Sequence, residues 1–210
     1  MQFTFDPEAH AYALDGQLIP GVTEVLRQVV DLSMIRDDVL DRKRAIGSAL
    51  HQAIELDAAD ELDPDSIDPA VAPYFAGWRR FQAEHHAFIV HANERPVFSQ
   101  SFRYACTPDV WGVMSDSLSH APFVLEIKST ATLHPAVGLQ TAAQLRAIGE
   151  WSHEDGRTRD RFIATASRFA LQLNNRGGYK LTKLEARDDF STFLALLTAW
   201  RWKRRHSINL

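Results

Sequence analysis

A single cysteine, Cys106, in 210 residues excludes an internal disulfide and a thiolate cage for a structural zinc, and it fits a reducing compartment. No apolar run approaches the roughly 20 residues a membrane helix needs. The opening MQFTFDPEAH reads as neither a basic nor an apolar leader, so a cytoplasmic location with no membrane partner is expected. Cations are not in excess. Lys and Arg number 23 against 27 Asp and Glu, a formal net charge of -4, which argues against a protein that coats nucleic acid with a uniformly basic surface. Chemistry on phosphates stays open, because divalent-ion sites concentrate carboxylates and the ion restores positive charge. Repeats, low-complexity tracts and linkers are absent as well, so one domain over 1–210 is expected.

The pattern that is present reads as mixed α/β. AYAL, Asp15-Gly16 and QLI form a hairpin signal at the N-terminus. Thr23 is positioned to cap a short helix from Glu24. Val39, Ile46, Leu50 and Ile54 recur at helical spacing, predicting a long helix over 37–56, and a second helix is expected over 74–86 after a polar loop at 57–68. β-rich texture follows in FIVHA, PVFSQSFRYA, PDVWGVM and, after the loop SDSLSHAP, FVLEIKS. Pro135 suits the start of a helix to about Glu150, RFALQL and GYKLTKL flank turn residues 174–178, and Asp188 and Asp189 open a last helix ending in WRWKRRH. A central mixed sheet flanked by helices is the expected architecture.

Two constellations carry chemistry. On a strand through FVLEIKS, Glu126 and Lys128 leave the same face, and a hairpin with PDVWGVM brings Asp109 beside them. Two carboxylates suit Mg²⁺ or Mn²⁺, and an ammonium can orient or deprotonate water and offset transition-state charge. An isolated E-x-K is more often a solvated ion pair, but the apolar Val124, Leu125 and Ile127 mark this strand as interior, where unpaired charge is rare. In RAIGSALHQAIEL, Gly47, His51 and Glu55 share one helix face at the border of the apolar stripe. A lone histidine there is commonly a core-edge residue. Gly47 in mid-helix costs about 1 kcal/mol relative to alanine and suggests a close approach.

Four stretches resemble, in order, the signatures of the RecB-like branch of the PD-(D/E)XK nucleases, in particular phage-type exonucleases: IPGVTEVL, GSALHQAIE, YACTPDVWG and LEIKST, followed by QTAAQ. The resemblance implies a restriction-endonuclease-like core and a Mg²⁺- or Mn²⁺-dependent deoxyribonuclease. It implies metal ligands at His51, Asp109, Glu126 and the Ile127 carbonyl, and catalytic roles for Asp109, Glu126 and Lys128. Support or DNA contact falls to Glu55, Ser129, Gln140 and Gln144. Departures are Gly21, Cys106, Ser129 and Gln144, where the motifs carry serine, glycine, threonine and tyrosine; none removes a ligand. The implied activity is exonucleolytic attack on linear DNA in recombination, replication or repair, with a single-strand annealing or recombination protein as a possible partner. A flap or structure-specific endonuclease with the same site, or a silent DNA-binding subunit, are the alternatives.

Three further features are weaker. WRWKRRH can grip phosphate or simply complement a helix dipole. Arg168, Gln172 and Lys180 can face DNA or merely lie at the surface. His85, His86 and His91 read poorly as a zinc site without cysteines.

Overall fold

A computed structural model describes residues 1–31, 36–115 and 120–208. The chain opens with β1 (Phe3–Asp6), β2 (Ala11–Leu14) and β3 (Gln17–Ile19), a three-stranded antiparallel sheet. The expected hairpin is β2 and β3, with Asp15 and Gly16 both at positive φ, 52° and 76°, as a two-residue turn of this twist requires. β1 adds a strand that the sequence reading did not assign.

Helix α1 (Val22–Leu26) begins earlier than expected, with Gly21 as its N-cap and no side-chain cap. Thr23 therefore sits in the first turn. Gly21 pairs with Ala105 in a parallel bridge, and the Ala105 amide donates to the Pro20 carbonyl, so sheet pairing holds the chain extended up to Gly21.

Helices α2 (Asp37–Ala58) and α3 (Ala72–Glu84) follow, separated by a polar stretch with one 3-10 turn at Pro64–Ser66 that Asp63 caps. Next come β4 (Phe88–Asn93), β5 (Val97–Ser99), β6 (Tyr104–Cys106), β7 (Val110–Ser115) and β8 (His120–Lys128). PVFSQSFRYA is two strands rather than one, because the chain reverses at 100–103, where Arg103 has φ 47°. Four residues of the SDSLSHAP loop, 116–119, lie outside the described residues. Helices α4 (Ala136–Ser152) and α5 (Gly156–Thr165), the β9 (Ser167–Leu173) and β10 (Tyr179–Lys183) hairpin, and α6 (Asp189–Arg205) complete the chain.

The central sheet runs β10-β9-β8-β7-β4, parallel only between β8 and β9. A parallel neighbour demands a crossover, and α4 with α5 supplies it. β8 divides the interior by its alternation. Phe123, Leu125 and Ile127 join Leu50 and Ile54 of α2 and Trp78 and Phe81 of α3 in one core, while Val124 joins Ala143, Ala147 and Ile148 of α4 and Phe193 and Leu197 of α6 in the other. Helices thus cover both faces. Among the described residues no helix is long and apolar enough to cross a membrane.

Candidate active site

Glu126 follows Val124 onto the α4 face of β8 and is 1% exposed. A carboxylate there needs partners to offset its lost hydration. Its Oε1 pairs with the Lys128 ammonium and accepts from Gln140 Nε2 at 2.6 Å, and its Oε2 accepts from Gln144 Nε2 at 2.8 Å. The two glutamines stand one turn apart on α4, so a single helix face delivers both amides. The other amide atom of Gln144, Oε1, is buried with no partner.

Asp109 immediately precedes β7 and is 7% exposed. Its Oδ2 accepts from the Ile127 amide at 2.6 Å, which ties it to the end of β8. Its carbonyl accepts from the Glu94 amide at 3.1 Å, just past the Asn93–Val110 pair that closes the β4 and β7 ladder. Glu94 turns off β4 with φ 44°. His51 reaches this rim from α2, its Nδ1 2.7 Å from Glu94 Oε1 and 3.7 Å from Asp109 Oδ1. The approach to Asp109 is braced from the N-terminal sheet, where the Tyr12 and Thr107 hydroxyls share a 2.9 Å hydrogen bond.

Burial pulls the His51 pKa down, but Asp109 and the Glu94 hydrogen bond outweigh it and raise it to about 9. With no cation bound, the ring at neutral pH is therefore protonated and donates to Glu94; ligation of a divalent cation would displace that proton. Burial and the nearby Glu126 charge raise Asp109 above the ordinary carboxylate range, with His51 and Lys128 acting in opposition. For Lys128, burial disfavours the ammonium, yet Glu126 and Asp109 hold its pKa above the ordinary lysine value. Lys128 therefore keeps its proton in this arrangement and is suited to stabilise charge rather than to abstract a proton.

The structure brings His51 and Asp109 together and adds Glu94. One donor atom from each lies within 4.8 Å of the others, the single such group among the described residues. Glu126 stands beside this group, engaged with Lys128, Gln140 and Gln144. Three carboxylates against one ammonium and one imidazole leave a negative balance, and hard oxygens with an imidazole are a donor set that fits a divalent cation. At Ile127 the backbone contact to the cluster is the amide, donated to Asp109.

Glu55 is exposed and joins no side-chain hydrogen bond or ion pair among the described residues. Ser129 Oγ is the nearest atom to a Cβ placed on Gly47, at 4.0 Å, so the protein itself does not crowd Gly47 and the expected close approach is not made by its own atoms. Arg168 is tied to Asp189 at 2.7 Å and to the Gly138 and Ala186 carbonyls, and Gln172 donates to the Thr130 and Ala131 carbonyls; both are internal braces, while Lys180 is exposed. His85 bonds Tyr179, and His85, His86 and His91 form no metal-binding group among the described residues. In WRWKRRH, Arg201 donates to the Phe102 and Arg103 carbonyls and Arg204 lies over the Trp200 ring. Glu94 belongs to no motif. Only the antiparallel register of β4 on β7 marks it, by setting Asn93 opposite Val110.

Compared with known proteins, the chain matches no family model, and no curated protein matches it.

Proposed function

We propose that the chain is a divalent-metal-dependent deoxyribonuclease on the PD-(D/E)XK plan, acting as a cytoplasmic exonuclease on the ends of linear DNA. The observation that supports this reading is the meeting of His51, Glu94 and Asp109 with the Glu126–Lys128 pair at one rim of a mixed sheet. A Mg²⁺ or Mn²⁺ ion bound through His51, Glu94 and Asp109 would polarise the scissile phosphate and lower the pKa of the attacking water.

The remaining work falls to the chain. Lys128, held protonated, donates to a phosphate oxygen and offsets the charge that develops there. Glu126, clamped by Gln140 and Gln144, sets the position of that ammonium. The Ile127 amide fixes the rotamer of Asp109, and Glu94 fixes the plane of the His51 ring.

The test is end-labelled linear single- and double-stranded DNA, with a circular single strand as control, in Mg²⁺, Mn²⁺ or EDTA. The linear substrates should shorten only with metal, and the circle should stay intact. Cutting of the circle would assign an endonuclease. Binding of DNA with no cleavage in either metal would replace the nuclease by a silent DNA-binding subunit.

A further inference from the structure

Beside the cluster the surface is aromatic and cationic. Trp111 lies on β7, two residues after Asp109 in the chain. It pairs with Ala92 of β4, one step from the pair that precedes Glu94. Trp151, in the last turn of α4, meets Trp111 edge to face at 6.3 Å between centroids, and His91 of β4 meets it from another side at 6.1 Å. Arg95, the residue after Glu94, lays its guanidinium over the Trp151 ring at 4.4 Å. Both indoles are half-buried, whereas His91 and Arg95 are exposed. Arg95 has no hydrogen bond or ion pair to a carboxylate among the described residues. Arg146 and Arg168, by contrast, are each engaged by one, Glu150 and Asp189.

We propose that Arg95, Trp151, Trp111 and His91 form a platform for single-stranded DNA, on which the base beside the scissile phosphate stacks while Arg95 takes the adjoining phosphate. This rests on the nuclease reading above. A guanidinium stacked on an indole keeps its N–H fork free for phosphate. Every base has a π-face, so stacking on indoles tolerates all sequences, as an enzyme that meets successive nucleotides requires. Attraction is also needed here, because the chain carries a net charge of -4 and the cluster itself gathers carboxylates.

The test measures anisotropy of a labelled single-stranded oligonucleotide in EDTA, across a salt series. Arg95→Ala and Trp151→Leu should each weaken binding on the order of tenfold, with Trp151→Phe retaining most of it. Arg95→Ala should also lower the magnitude of the salt slope by about 0.7, the value for one single-strand phosphate contact. Trp151 packs against a core, so circular dichroism accompanies its variants. Should Trp151→Leu unfold, the exposed Arg95→Ala and His91→Ala decide. Wild-type affinity and salt slope in folded Arg95→Ala and Trp151→Leu overturn the platform. If the wild type cuts linear DNA with Mn²⁺ while these variants bind normally, the platform falls and the nuclease reading stands. If the variants bind weakly but the wild type never cuts, the nuclease reading falls, and with it the scissile phosphate, while the four residues stand as a single-strand binding surface alone.

Discussion

Replacing Lys128 by alanine probes stability and chemistry in one change. Glu126 is 1% exposed, and among the described residues the Lys128 ammonium is its only cationic hydrogen-bond partner. Without it the carboxylate stays buried with two neutral amide donors, and breaking one side of a buried pair costs about 3–5 kcal/mol. The Lys128 side chain keeps 29% exposure, so water enters the gap and reduces the expected loss to about 2–3 kcal/mol. Urea unfolding at pH 7 in EDTA should show that loss as a lower midpoint with an unchanged m-value. Glu126→Gln combined with Lys128→Met removes both charges together and should recover most of the stability, with cleavage absent in both variants. A Lys128→Ala protein within about 0.5 kcal/mol of wild type, the range of an ordinary surface change, would refute the buried pair.

Two other outcomes are expected. With metal chelated, the folded pKa of His51, about 9, lies above its ordinary 6.5, so its stabilising contribution is fully present below pH 6.5 and is lost as pH rises through 9. It amounts to at most about 3 kcal/mol, and thermal unfolding across that window should depend less steeply on pH in His51→Ala; an equally steep dependence in the variant would reassign the effect. Gly47→Ala should raise the unfolding temperature through up to about 1 kcal/mol of helix propensity, since its Cβ would meet nothing closer than 4.0 Å, and a lower temperature would show tighter packing at that turn than described.

Much of the architecture was legible because its signals are local. Asp15-Gly16 specifies its turn by backbone conformation alone, the apolar stripe of α2 follows helical periodicity, and the apolar run of β8 marks a strand buried on both faces. Helix α5 escaped because GRTRDRFIAT is short and polar, with Phe162 and Ile163 its only large apolar side chains; its signal is the Asp155 cap, which accepts from the Thr158 amide at 2.7 Å. The division of PVFSQSFRYA escaped because the chain reverses around Ser99, whose hydroxyl accepts from the Phe102 amide and donates to distant Glu150. Within the candidate site, Asp109, Glu126, Lys128 and His51 were marked by residue type and spacing. Gln140 and Gln144 are marked as supporting residues through the resemblance alone, and their shared hold on Glu126 comes from helix docking. Glu94 depends on strand register, which no local pattern encodes.

The cluster draws its imidazole from one helical layer and its glutamine clamp from the opposite one, with the sheet between them. Fraying of α2 alone would carry His51 away from its carboxylates while the strands remained paired. The three-donor group therefore exists only where helix and sheet are docked together.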